Sequence, residues 1–98
     1  MPDPRIHPIT TVLDTFITVG AVDTLVLTAN DNRQELDLVN DSAEAIYIAR
    51  GGAAVMNSGL RLNPRGGAYR MGTDNLYHGE IRAICESGDM NLCVSEGS

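Results

Sequence analysis

The side chains able to carry chemistry are few and scattered. His7 and His78 lie far apart in the sequence, His7 within a proline-rich start and His78 in a Tyr77-His78-Gly79 segment, and each reads as a surface or turn residue. Asp31, Asp37 and Asp41 hint at a cation loop, but they lack the alternating carboxylates and terminal glutamate that a calcium-binding loop uses to surround the ion. Cys85 and Cys93 are too widely spaced for a CxxC site and have no histidine at zinc-ligand spacing, so reduced structural thiols are expected and no metal or cofactor is assigned. No phosphate-cradling glycine loop, nucleophile elbow or HExxH helix occurs. Asn40-Asp41-Ser42 fits a glycosylation acceptor but reads as a turn. Without a cluster that assembles an acid, a base and a nucleophile, the sequence points away from an enzyme. Tyr47, Tyr69 and Tyr77 are the remaining candidates, either as a glycan-holding surface or as half-buried packing at strand ends.

The elements that position these residues are strands. Apolar runs recur about every 8 to 12 residues between clusters of Gly, Asn, Asp and Ser, the spacing of a sandwich or barrel. The expected fold is all-β, an antiparallel, jelly-roll-like sandwich of seven or eight short strands over residues 10–98, preceded by an extended proline-rich N-terminal arm over residues 1–9. In the run 11–19, Leu13, Thr15, Ile17 and Val19 share a face. In the run 22–29, Leu25, Leu27 and Ala29 should point inward and Val22, Thr24, Val26 and Thr28 outward. Leu36 and Leu38 alternate with Glu35 and Asp37. Ile46 and Ile48 alternate with Tyr47, which favours a strand over the helix that a capping pair Asp41 and Glu44 would allow. Short strands follow at Leu60 to Leu62 and at Tyr69 to Met71.

Residues 80–86 and 91–96, joined by Ser87, Gly88 and Asp89, read as a β-hairpin. A two-residue loop sets Ala83 opposite Val94, Cys85 opposite Leu92 and Ile84 opposite Cys93, with the thiols pointing apart. A three-residue loop would instead set Cys85 opposite Cys93.

With 98 residues, 43% hydrophobic and 20% charged, the chain is long enough for one thin core, filled by aliphatic side chains because aromatics make up only 4%. The net charge of −6, with seven arginines, no lysine and no basic cluster, argues against nucleic-acid binding. No apolar run is long enough to span a bilayer, and the N-terminus lacks a leader pattern, so cytosolic synthesis without membrane association is expected. Phe16, Val22, Val26, Ile84 and Cys93 all fall on the expected solvent face of their strands. Together they predict the interface of a homo-oligomer, with a homotrimer expected. In the arm, Pro2, Pro4, Arg5, Ile6, Pro8 and Ile9 form an extended segment whose prolines lower the ordering cost of docking on another surface.

The order Leu25 to Asn30, Arg33, Leu36 to Asn40, Ile46-Tyr47-Ile48 and Gly51-Gly52 resembles a recurring family of short phage structural domains. The likeness continues through Gly59 to Leu62, Pro64 to Gly66, Tyr69, Leu76 to Gly79, Ile81 to Ile84, Ser87-Gly88 and Asn91 to Val94. About three quarters of the chain is covered. Arg65 separates Pro64 from Gly66, a departure from the family's proline turn. The resemblance implies a β-sandwich module on a phage head, head fibre, tail or baseplate, in which the shared residues form the fold and do not catalyse. The expected role is a capsid decoration (cement) protein on the virion surface, made in the host cytoplasm, whose partners are the major capsid protein and further copies of itself. The alternative is a carbohydrate- or receptor-binding module of a head fibre, tail or baseplate.

Overall fold

A computed structural model describes residues 11–72 and 75–98. The arm, with its candidate contacts Pro2, Pro4, Arg5, Ile6, Pro8 and Ile9, lies outside the described residues, as does His7. Eight strands follow one another: β1 (Val12–Val19), β2 (Thr24–Leu27), β3 (Glu35–Asn40), β4 (Ile46–Arg50), β5 (Leu60–Leu62), β6 (Ala68–Met71), β7 (Ile81–Cys85) and β8 (Met90–Gly97). Among the described residues there is no helix.

The strands form two four-stranded antiparallel sheets, β1-β8-β3-β6 and β2-β7-β4-β5. The pairings nest: β1 with β8, β2 with β7, β3 with β6 and β4 with β5, stitched by the lateral pairs β3–β8 and β4–β7. A chain doubled back on itself and then rolled gives this order, which is that of an eight-stranded jelly roll.

Period-two alternation decides what the sheets bury. Leu36, Leu38 and Asn40 of β3 are buried while Glu35, Asp37 and Val39 are not. Ile46 and Ile48 of β4 and Leu92 and Val94 of β8 follow the same rule, as do Ile81, Ala83 and Cys85 of β7. The core is aliphatic, completed by Val19, Val26, Leu62 and Met71, with Tyr69 and Tyr77 packed at its margin. Burying each Leu or Ile stabilises the sandwich by about 1.5–3 kcal/mol.

Three expectations are corrected. First, β7 and β8 are not a hairpin. Gly88 and Asp89 do make a tight turn, both at positive φ (87° and 59°), but it carries the chain from one sheet to the other, and each strand pairs with partners distant in sequence. Second, β2 follows the expected faces only in part: Leu27 packs against the core as expected, but Leu25 and Val26 exchange sides. Leu25 opposes Arg82 and Leu27 opposes Ile81, so Val26 is an extra residue at a β-bulge. Thr24 opposes the buried Ala83, so alternation already puts Leu25 outside and Val26 inward, to 5% exposure, and the bulge brings Leu27 to the core as well. Val26 is therefore core and not an interface residue.

Third, Ile84 does lie on the outer face of its sheet, yet it is only 9% exposed. Residues 51–59, which read in the sequence as a plain Gly-Ala connector, run over that face. The Ala54 N–H donates to Asp23 Oδ1 (2.9 Å), Arg82 holds Asp23 Oδ2 (2.8 Å), and Tyr47 OH donates to Asn57 Oδ1 (3.0 Å). Ala54 and Ile84 are both buried outside the central cluster. The segment thus supplies from the same chain the cover that a second subunit was expected to give.

Candidate functional site

The polar side chains that the sequence offered for chemistry are largely committed to joining loops. Arg33, just ahead of β3, is 1% exposed. Its Nε donates to Glu96 Oε2 (2.6 Å), Nη1 to the carbonyls of Tyr77 (2.7 Å) and Gly79 (3.1 Å), and Nη2 to the carbonyl of Thr28 (3.0 Å). One guanidinium therefore ties together the end of β2, the 76–80 loop and the last strand, a use for which its planar donor fork is suited. His78 caps the same end, its Nε2 3.1 Å from the Arg33 carbonyl.

Asn40 closes the other end of β3 and is fully buried. Its Nδ2 donates to the carbonyls of Glu44 (2.7 Å) and Leu62 (3.0 Å), and its Oδ1 accepts from Ser42 Oγ (2.5 Å). Its backbone exchanges bonds with Gly66 and Gly67 of the proline turn. A Cβ on Gly67 would collide with the backbone of Asn63, so the turn needs glycine there. Beyond Asn40, the Glu44 carboxylate accepts from both the hydroxyl and the N–H of Ser87, which hold its pKa below the ordinary glutamate value. Asp41 and Glu44 therefore start no helix, and Glu44 anchors the β7–β8 turn instead.

Cys85 and Cys93 are free thiols in different sheets. Cys85 is buried, its Sγ donating to the carbonyls of Val19 and Gly20, and burial pushes its thiol pKa up. Among the described residues, no group of three or more His, Cys, Asp or Glu side chains is placed to hold a metal ion. The tyrosines do not share a surface. Tyr47 lies on the outer face of the second sheet, whereas Tyr69 and Tyr77 pack against the core. Arg50 stands over the Tyr69 ring at 6.0 Å, and the Tyr77 hydroxyl fills the space beside Gly51 and Gly79.

What is left uncommitted is apolar surface around β1. Phe16 is 63% and Val22 69% exposed, as the sequence indicated, and Cys93 is half-buried. Phe16, Cys93, Val39 and Ala68 are consecutive partners across all four strands, giving one apolar row over the outer face of the first sheet. The neighbouring row is polar: Asp14, Ser95, Asp37 and Arg70. Ser95 Oγ donates to Asp14 Oδ1 (2.6 Å), and Arg70 Nε lies 3.7 Å from Asp37. Val22 stands apart, in the β1–β2 turn, so the expected interface set is not one patch.

Alternation alone did not single out Val12, Leu13, Leu25 and Val55, which are also exposed. For Leu13 the signal lies in the topology. β1 is an edge strand twice as long as β2, and of its inward side chains only Val19 is buried.

No protein-family model, curated protein or solved structure matches the chain.

Proposed function

We propose that this protein is a structural subunit of a phage particle. In this reading it is a decoration (cement) protein that stabilises the head by contacts among its own copies and by arm contacts with the major capsid protein. The observation that carries the proposal is the division of labour among its side chains. The buried polar groups, Arg33 and Asn40, are consumed in holding loops together, while a row of apolar side chains and a long strand edge at β1 are left for another surface. An exposed apolar patch of that kind marks a site of association. The jelly roll itself serves capsids, lectins and enzymes alike, so it is compatible with the reading without selecting it.

The arm joins the sandwich where Thr11 and Ser98 exchange two backbone hydrogen bonds (2.9 and 2.8 Å). That anchorage fixes the point from which the arm departs, beside an open cleft of about 630 Å³ bordered by Asn30, Asp31 and His78. The mechanism is mechanical. Repeated modest contacts over symmetry-related capsid sites oppose the outward pressure of packaged DNA, each burying apolar area worth about 25 cal/mol per Å² before the cost of association. The net charge of −6 disfavours a direct role on the DNA. The rival reading, a glycan- or receptor-binding module of a head fibre, tail or baseplate, draws less support because Tyr47 lies on the outer face of the second sheet whereas Tyr69 and Tyr77 pack against the core.

The test is co-sedimentation of the full chain, and of residues 10–98, with heads purified from particles lacking the protein. The full chain should bind, and the truncated chain should keep its strand signature by circular dichroism yet lose binding. Full occupancy by the truncated chain would remove the arm from the mechanism.

A further inference from the structure

A sandwich has four strand edges, and here three are short: β5 has three residues, and β2 and β6 have four each, with a bulge in β2. Short or bulged edges resist pairing with another chain. The fourth edge, β1, runs eight residues in unbroken register with β8. It contains no proline and no basic residue, its one charge is Asp14, and Val12, Leu13 and Phe16 on it are exposed.

The free backbone groups of this edge can be assigned. Thr11 and Ser98 exchange both of their hydrogen bonds, so the odd-numbered residues of β1 turn their N–H and C=O toward β8. Val12, Asp14, Phe16 and Thr18 turn theirs away from the sheet, and no described residue accepts or donates there.

We propose that β1 pairs antiparallel with β1 of a second copy, across a two-fold axis at Thr15. The inference rests on the homo-oligomer reading above and names its interface. In this register Val12 opposes Thr18 of the second copy and Asp14 opposes Phe16, so every outward N–H and C=O is used. On the inner side Leu13 meets Ile17 and Thr15 meets Thr15, an apolar pair and a Thr–Thr pair of the kind that stabilises ladders. Neighbouring registers are worse. An axis at Asp14 sets two carboxylates face to face. An axis at Phe16 pairs Val12 with Gly20, whose N–H already donates to Thr24 Oγ1 (3.1 Å) and whose carbonyl already accepts from Cys85 (3.0 Å).

The pairing fuses the first sheets of two copies into one eight-stranded sheet and brings the two Phe16 rings to diagonal positions beside the axis. It consumes the edge of both copies and closes at two, so a two-fold replaces the trimer expected from the sequence.

The test combines mass and register. Sedimentation equilibrium of the full chain at micromolar concentration should give twice the 10.5 kDa chain mass. Asp14→Pro removes an outward N–H, together with the exposed carboxylate that accepts from Ser95 within the same sheet, and Thr15→Lys sets two like charges opposite one another on exposed side chains. Each should weaken association at least about tenfold, with the strand spectrum retained. In a Cys93→Ser background, Thr15→Cys should cross-link on oxidation, because residues at that position lie about 4.5 Å apart between Cα atoms. Phe16→Cys, facing Asp14, should not. A monomeric wild-type chain would overturn this interface and the homo-oligomer reading together. A trimer, or a dimer indifferent to Thr15→Lys and Asp14→Pro, would overturn the β1 interface alone. If Asp14→Pro fails to fold, Thr15→Lys and the cross-link decide.

Discussion

Replacing Arg33 with methionine keeps much of the side chain's volume and removes every hydrogen bond it makes. The Glu96 carboxylate, its side chain only 12% exposed, then loses its cationic partner, and the carbonyls of Thr28, Tyr77 and Gly79 lose their donor. Breaking a buried ion pair from one side costs about 3–5 kcal/mol, because the remaining charge stays desolvated. Each carbonyl left dry adds to that by an amount that depends on whether water reaches it through the adjoining cleft. Arg33→Met should therefore lose at least about 3 kcal/mol of a total that for a domain of this size is about 5–15 kcal/mol. In thermal terms the loss corresponds to a Tm lower by at least about 12 °C. Urea unfolding followed by far-ultraviolet circular dichroism measures it. Glu96→Gln in the Arg33→Met background should restore part of the loss, with a coupling of about 0.5–3 kcal/mol. A loss under about 1 kcal/mol, or no coupling to Glu96, would refute the claim that this guanidinium holds the end of the sandwich together.

Asn40→Asp should cost roughly 1–3 kcal/mol, since a carboxylate has no donor to offer the carbonyls of Glu44 and Leu62; an unchanged urea midpoint would contradict this. Glu44 titrates below its ordinary value of 4.5 because Ser87 donates to it twice. Its contribution is thus present above that value and is lost as pH falls through the lowered folded value. Between about pH 6 and about pH 3 the Tm of Glu44→Gln should fall less steeply than that of the wild type, and parallel curves would exclude the contact. Under native conditions Cys93 should react with a maleimide while Cys85 waits for unfolding, because burial both hides that thiol and disfavours its thiolate. Equal labelling rates would place Cys85 elsewhere.

The fold was legible wherever local alternation decides the outcome. Leu36 and Leu38 against Glu35 and Asp37, and Ile46 and Ile48 against Tyr47, read as half-buried strands and are so. What failed was long-range. Ser87, Gly88 and Asp89 announce a tight turn, but local chemistry does not say which sheet each flanking strand joins, and here every pair of consecutive strands except β4 and β5 is split between the two sheets. Counting alternation from Leu27 puts Val26 outside, because the bulge that lets both Val26 and Leu27 face the core does not show in the sequence. Alternation puts Ile84 on the outer face, and nothing in a Gly-Ala connector announces that it will lie across that sheet. Arg33 and Asn40 are plain in the sequence as an arginine and an asparagine flanking a strand, while their burial depends on the loops that the fold brings to them. Phe16 and Val22 were correctly read as exposed, since no later part of the described chain covers them.

Copy number in the particle tests the central claim most directly. Quantitative mass spectrometry of purified virions should find this chain in a fixed, near-stoichiometric ratio to the major capsid protein. Its absence from virions would contradict the account, and presence in only a few copies per particle would move it to a tail, baseplate or fibre.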